Sequence, residues 1–507
     1  MSEHPTGGKM QLTDLLSSAE LLSVEGPVHK TAGKPVYHSE KAEKNSIFFA
    51  IEGNRCDGSD FAEEALKKGA RTLVVSQKAE QVKGIEGDNI TIIRVADVRK
   101  ALAQMSAEFY GRPSEKLLVI GVTGTKGKTS VTFMIRAIME AAGIKTGIIG
   151  TVYNGYEGNM TEAEVTTPQS ADIQELMKKM IDGGFKAVVM EVSSQGLMQH
   201  RVDAIDFDVG VFTNIFPDHI GDGEHKNFEE YLFWKSMLFQ KCRFAAANLD
   251  DAFCEKILKD NSAEHMIYFG ESSKADFRFS QVELTDDEGT PGIKYTMSSS
   301  PPCGDGQCHE INLKMPGRFN VYNSLAAAAV TRAIGIPQSI VEEALKKVKL
   351  PGRVEVVDTD SEFTILLDYA HNGRSLRKLM ESLREYQPSR IILLFGCGGN
   401  RDRNRRFEMG KAALETADFI IVTSDNPRRE EPAKIIDDIT SVMKFCDKPV
   451  LAIPDRREAI ARALSEGRKG DIIVIAGKGH ETSQLIGDRK IHFDDREVII
   501  SLRKETK

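Results

Sequence analysis

Apolar residues in this chain fall in short, nearly unbroken runs separated by longer stretches with helical spacing. The runs LVIGV (118–122), KAVVMEV (186–192), DVGVFTN (208–214) and RFAAANLD (243–250) are as long and continuous as parallel strands buried on both faces. Between them lie amphipathic segments such as VTFMIRAIMEAAG (131–143). Strand and helix in alternation predict a parallel sheet covered by helices. The pattern restarts at EFTILLDYA (362–370) and continues through RIILLFG (390–396), FIIVTS (419–424), PVLAI (449–453) and DIIVIAG (471–477). A smaller version opens the chain, with NSIFFAIEG (45–53) and TLVVS (72–76) flanking the helical FAEEALKKGA (61–70). PGRFNVYNSLAAAAVTRAIG (316–335) reads as a turn followed by an alanine-rich packed helix.

Turn-forming, charged stretches divide these blocks at GRPSEKL (111–117) and KLPGRVEVV (349–357). The prediction is three consecutive α/β domains, 1–113, 114–350 and 351–507, which suits a chain of 507 residues.

The sharpest local signal lies between a predicted strand and helix, at Gly121-Val122-Thr123-Gly124-Thr125-Lys126-Gly127-Lys128-Thr129-Ser130. Glycines let the backbone aim its amides at an anion, and the helix N-terminus that follows favours negative charge. Lys128 can reach terminal phosphates and the Thr129 hydroxyl can ligate Mg²⁺. Val122 stands where the strict phosphate-loop pattern has glycine. The segment predicts a nucleoside triphosphate site over Gly124–Ser130. By itself it does not choose between a kinase, a switch, a motor and a ligase.

Composition narrows the class. With 41% hydrophobic and 28% charged residues the chain is soluble and globular, and its net charge of −8 argues against a nucleic-acid-coating protein. Seven cysteines without a framework read as reduced thiols. CGDGQCH (303–309) lacks a second ligand pair and reads as a polar loop between strands. The N-terminus MSEHPTGGKMQLTDLL has no leader pattern, and no apolar run approaches the ~20 residues of a spanning helix. A cytoplasmic protein without a membrane span is expected.

A series of ordered motifs resembles the Mur ligase family over nearly the whole chain: GTKGKTS, TTP (166–168), MEVSS (190–194), FTN (212–214) with DH (218–219), GRFNVYNSLAA (317–327), LPGR (350–353), DYAH (368–371) and GKGHE (477–481). Lys126 replaces the asparagine usual in that nucleotide signature. The resemblance implies a central P-loop parallel-sheet ATPase domain. It would be flanked by a small N-terminal α/β UDP-binding domain and a C-terminal Rossmann-like α/β domain. ATP and Mg²⁺ are the implied cofactors. Glu191, at the end of a strand facing the phosphate loop, and His219 would hold metal with Thr129. Lys235 would do so as a carbamate, although its position alone reads as an ordinary helix lysine. Asn323, Arg353 and Asp368 match positions that cradle adenine and ribose or bridge domains, and His371 would sit near the nucleotide.

TTP paired with EVSSQGLMQHR (191–201) resembles the branch that adds the third residue of the peptide stem to UDP-N-acetylmuramoyl-L-alanyl-D-glutamate. Thr166, Thr167, Ser193, Gln199 and Arg201 would then hold the muramoyl-peptide. Gln195 stands where the family has histidine. Ser39 is carried over from the uridine-binding stretch, where HSE replaces the usual DSR. Asp425-Asn426-Pro427-Arg428 resembles the DNPR signature of meso-diaminopimelate-adding members, with Arg401, Gly477 and Glu481 completing the pocket. A guanidinium grips the distal carboxylate that lysine lacks. The motifs DYAHNG and DHIGDGEH resemble lysine-adding relatives instead.

The implied chemistry phosphorylates the glutamyl γ-carboxylate, after which the acceptor amine displaces phosphate, in a cleft closed by the C-terminal domain. The expected partners are the UDP-muramoyl-dipeptide and a diamino acid, with no nucleic acid, and the protein is expected to act as a monomer. A lysine-adding ligase, a folylpolyglutamate-type ligase and a nucleotide-binding regulator without turnover stay open at this point.

Overall fold

The computed structural model describes residues 10–505 apart from 54, 55, 86, 219, 222, 223, 288, 289, 302, 303, 305 and 358–360. The chain divides into two compact units, Met1–Tyr268 and Phe269–Lys507.

The first unit holds two sheets. The N-terminal one comprises β1 (Leu21–Glu25), β2 (Pro35–Val36), β3 (Ile47–Phe49), β4 (Thr72–Ser76) and β5 (Thr91–Val95), in the order β1-β5-β4-β3-β2. Its core lies on both faces. One side gathers Phe49, Val74, Ile93, Leu102 and Met105, the other Phe48, Ala65, Leu73 and Val75. Those partners alternate along β3 and β4 because successive side chains leave a strand on opposite faces.

The second sheet of this unit contains β6 (Leu118–Thr123), β7 (Thr146–Ile149), β8 (Tyr153–Tyr156), β9 (Asn159–Glu162), β10 (Ala187–Glu191), β11 (Phe207–Phe212) and β12 (Cys242–Asn248). Their order is β12-β11-β6-β10-β7-β8-β9, parallel except for the antiparallel β8 and β9. All five residues of β10 are buried, as expected for a strand covered on both faces. The register aligns Glu191 on β10 with Val122 on β6. The acid therefore stands at the carboxyl end of the sheet, beside the start of the phosphate loop. That edge is where ligands of parallel α/β sheets bind.

The division between the units falls within β13 (His265–Gly270). In the second unit, β14 (Phe277–Asp287), β15 (Thr290–Ser299) and β16 (Cys308–Leu313) form an antiparallel set. Cys308 and His309 already belong to β16, paired with Ser298 and Met297, so the polar loop foreseen at 303–309 is shorter; Cys303 lies outside the described residues. In the helix Phe319–Ala333 the run Ala326–Ala329 is fully buried, where small side chains allow close packing.

The last sheet contains β17 (Glu355–Val356), β18 (Thr364–Asp368), β19 (Ile391–Phe395), β20 (Phe419–Val422), β21 (Val450–Ala452) and β22 (Ile472–Ala476), in the order β17-β18-β22-β19-β20-β21. It is parallel except for β17. Apolar clusters cover both faces. A separate hairpin, β23 (Ser483–Ile486) and β24 (Arg489–His492), follows. Among the described residues no helix is long and apolar enough to cross a membrane.

Candidate functional site

The phosphate loop joins β6 to the helix Lys128–Ala141. Gly124 has φ +148° and a Cβ there would lie 1.9 Å from the Thr213 hydroxyl oxygen, so no other residue fits. Gly127, at φ +89°, is the N-cap of the helix. The FTN segment braces the loop. The Asn214 carbonyl accepts from the Thr125 amide at 2.8 Å, its side chain accepts from the Lys126 amide at 3.0 Å, and the Thr213 hydroxyl donates to the Lys126 carbonyl at 2.7 Å. The exposed Lys126 side chain pairs with Asp218 at 3.4 Å. Lys128 Nζ donates to the Gly124 carbonyl at 2.8 Å, folded back over the loop. Ser130 is buried on the first turn of the helix.

Glu191 is buried and held by three donors: the Thr129 hydroxyl (3.0 Å), the Thr151 amide (2.8 Å) and the Thr151 hydroxyl (3.0 Å). A buried carboxylate and a hydroxyl from the phosphate loop are hard oxygen donors of the kind Mg²⁺ takes alongside phosphate oxygens. Among the described residues no three His, Cys, Asp or Glu side chains converge as a metal group, and His219 lies outside the described residues.

Lys235 is buried on the helix Phe228–Ser236, and its Nζ donates to the same Gly124 carbonyl at 2.9 Å. Burial, with Lys128 close by, drives its pKa well below that of an ordinary lysine. Its ammonium lies 4.7 Å from the Tyr231 ring centre, and the Tyr231 hydroxyl meets the Thr125 hydroxyl at 3.0 Å.

The residues expected to hold the muramoyl-peptide adjoin this centre. The Thr167 hydroxyl donates to the Glu191 carbonyl at 2.9 Å and accepts from the Ser193 amide at 3.0 Å. Thr166 meets Thr151 hydroxyl to hydroxyl at 3.1 Å. Arg201 donates to the Thr167 carbonyl and to the Gln199 side chain, both at 2.6 Å. Arg201 also lines a cavity of about 830 Å³, together with Tyr37, Ser39, Glu64, Glu164 and Asp172. Ser39 is buried, with its hydroxyl donated to Glu64 at 2.8 Å.

In the second unit Asp368 accepts from the Val354 and Ala370 amides, both at 2.8 Å. Arg353, next to Val354, lies over the Tyr369 ring at 4.8 Å, and His371 is edge-on to the same ring. Asn323 is buried and donates to Asn320 at 3.0 Å.

The second cluster forms where the loops after β19, β20 and β22 converge. Asp425, Asn426 and Pro427 are buried. Asn426 donates to Glu481 at 2.7 Å, and Arg428 donates to the Gly399 carbonyl at 2.8 Å. Gly477 is tight against this loop: a Cβ there would lie 2.7 Å from an Asp425 carboxylate oxygen. Burial, together with Asp425, raises the pKa of Glu481, which also accepts from the fully buried Lys478 at 3.2 Å. Arg401 is exposed nearby, its Cγ 3.8 Å from a Cβ built on Gly398. The arrangement gathers a guanidinium, Arg428, and a carboxylate bonded to Asn426, Glu481, about one loop.

Thr151, Thr213, Asn214, Tyr369, Lys478 and Gln484 were not singled out from sequence. Thr213, Asn214, Tyr369 and Lys478 lie inside recognised motifs and could have been. Nothing in the sequence marks Thr151 or Gln484.

Three family models match in order: "Mur ligase family, catalytic domain" at 36–110, "Mur ligase middle domain" at 122–331 and "Mur ligase, glutamate ligase domain" at 352–479. A UDP-N-acetylmuramoyl-L-alanyl-D-glutamate–2,6-diaminopimelate ligase of Caldanaerobacter subterraneus subsp. tengcongensis is 41% identical over 505 residues, covering 98% of this chain and 100% of that protein. One from Clostridium acetobutylicum is 37% identical over 499 residues, with 98% and 100% covered. A solved structure of a ligase of that name superposes with a TM-score of 0.70 at 27% identity, covering 98% of this chain and 99% of the other.

Proposed function

The chain belongs to the Mur ligase family of ATP-dependent ligases, with that family's three-domain α/β fold, and on this premise we propose that it adds meso-diaminopimelate to UDP-N-acetylmuramoyl-L-alanyl-D-glutamate. The observation that carries the choice of acceptor is that one loop holds both charges, Glu481 through its hydrogen bond from Asn426 and the Arg428 guanidinium against the Gly399 carbonyl. The distal end of diaminopimelate is itself an amino acid, with a carboxylate for the guanidinium and an ammonium for Glu481. Lysine presents only the ammonium and offers Arg428 no carboxylate. Full-length likeness to ligases of that name supports the same reading.

In this reading the first unit activates the acid. ATP phosphates lie along the amides of Gly124–Ser130, and Lys128 swings from the Gly124 carbonyl to the terminal phosphate. Lys128 then offsets charge as the glutamyl γ-carboxylate takes the phosphoryl group, giving an acyl phosphate and ADP. Thr129 and Glu191, with His219, would hold Mg²⁺, which supplies further neutralisation of phosphate charge. Arg201, Thr166, Thr167, Ser193 and Gln199 orient the dipeptide, and Ser39 contributes to the wall of the UDP cavity. A role in nucleotide binding is also assigned to Asn323, Arg353 and Asp368.

Lys235 fits conversion to a carbamate. Its depressed pKa favours the neutral amine that reacts with carbon dioxide, and the product, formed with loss of a proton, sets an anion beside Lys128. We place the enzyme in the cytoplasm, where its nucleotide substrates are.

The test supplies ATP, the UDP-muramoyl-dipeptide and one acceptor at a time, following ADP release and product mass. Turnover that requires the dipeptide and prefers meso-diaminopimelate over lysine is expected. ADP release indifferent to both substrates would remove the ligase reading, and preference for lysine would remove the acceptor assignment.

A further inference from the structure

The loop that follows β20 has no regular structure, so its buried backbone groups need partners from elsewhere. The Asn426 carbonyl accepts from the Gly399 amide at 2.9 Å and the Ser424 carbonyl from Arg456 at 3.3 Å, and further partners come from one short segment about sixty residues away in sequence. Gln484 is buried, and its Nε2 donates to the Asp425 carbonyl at 2.6 Å and to the Ser424 hydroxyl at 3.3 Å. The Leu485 amide donates to the Asn426 side chain at 2.9 Å. The Arg428 amide donates to the Leu485 carbonyl at 2.9 Å, and the Gly487 amide to the Arg428 carbonyl at 2.6 Å. Arg428 itself sits at φ +52°, a left-handed conformation that a residue with a side chain holds only when its surroundings impose it.

We propose that Gln484 is a positioning residue for acceptor selection, fixing the Asp425 carbonyl so that the loop delivers the Arg428 guanidinium to the acceptor's distal carboxylate. This rests on the diaminopimelate reading above. The physical reason is geometric. A two-pronged contact between guanidinium and carboxylate tolerates errors of only about half an ångström, and Arg428 begins from a strained backbone. Pro427, immediately before it, has no amide to anchor. Gln484 supplies the donor that grips the loop upstream of the proline, while Leu485 and Gly487 grip it downstream.

The test is a double-mutant cycle on the full-length enzyme with Gln484→Met, which keeps side-chain length and removes the donor, and Arg428→Ala. KM for meso-diaminopimelate should rise about tenfold in Gln484→Met, while KM for ATP stays within about twofold. In the Arg428→Ala background the same change should add less than about twofold, because the side chain acts through Arg428. A general packing role would give equal factors in both backgrounds, and that result, or an unchanged KM, would overturn the inference while leaving the ligase reading intact. Wild-type enzyme inactive with meso-diaminopimelate would overturn both. Should Gln484→Met fail to fold, Gln484→Glu is measured in the same cycle. It sets an acceptor against the Asp425 carbonyl, and the larger rise in KM expected of it should likewise vanish without Arg428.

Discussion

The phosphate loop and the acceptor loop both end a buried parallel strand, yet their shapes are fixed in different ways. In the phosphate loop the left-handed positions are Gly124 and Gly127, where that conformation is free of Cβ strain. In the acceptor loop the left-handed position is Arg428, where it costs on the order of 1–2 kcal/mol. A triphosphate is the same in every ATP molecule and can be held by main-chain amides. Telling one diamino acid from another needs a side chain at a defined place. The strain of placing it is borne by Gly399, Gln484 and Leu485, none of them near Arg428 in sequence.

That contrast predicts separable failures. Lys128→Ala should lower turnover about a thousandfold, since the charge on the transferring phosphoryl group loses its cation. Acceptor preference among the residual turnovers should be unchanged, and competition between the two diamino acids would check it. Arg428→Ala should reduce kcat/KM for meso-diaminopimelate about a hundredfold, leaving KM for ATP and use of lysine unaltered. If both acceptors suffered equally, the loop would be structural and the contrast would fail.

Gly399→Ala probes the support more indirectly. Its Cβ would lie 2.0 Å from the Pro427 carbonyl oxygen, so the acceptor loop must shift. A rise of about tenfold in acceptor KM and a loss of about 1–3 kcal/mol in stability are expected, read by steady-state kinetics and denaturant melts.

Lys235→Met concerns the other loop and its stability. Lys235 has a pKa below its unfolded value, so the folded state binds fewer protons than the unfolded state between that lowered value and 10.5. Its burial is therefore a penalty at neutral pH that fades as pH rises toward 10.5. In buffer free of carbon dioxide, Lys235→Met should melt a few degrees above wild type at pH 7, with the gap narrowing toward pH 10. A gap that widened with pH would mean that the lysine is charged and well paired.

Legibility in the sequence followed the same line. TLVVS reads as a strand and is β4 from end to end, because a short apolar run rich in β-branched residues favours an extended, buried strand. The hairpins β8–β9 and β23–β24 went unseen. YNGY, NMTE, SQLI and RKIH carry little apolar signal, and their pairing depends on partners. Lys235 likewise looks like a surface helix lysine until the fold buries it against Gly124.

Local chemistry was enough to announce a triphosphate loop, its helix and the run of motifs that mark the family, since each depends on residues within a few positions of one another. The state of Lys235, the three donors around Glu191 and the grip of Gln484 on the Asp425 carbonyl were decided only by the folded chain. Burial and long-range hydrogen bonds are properties of neighbours in space, and those neighbours are tens of residues apart along the sequence.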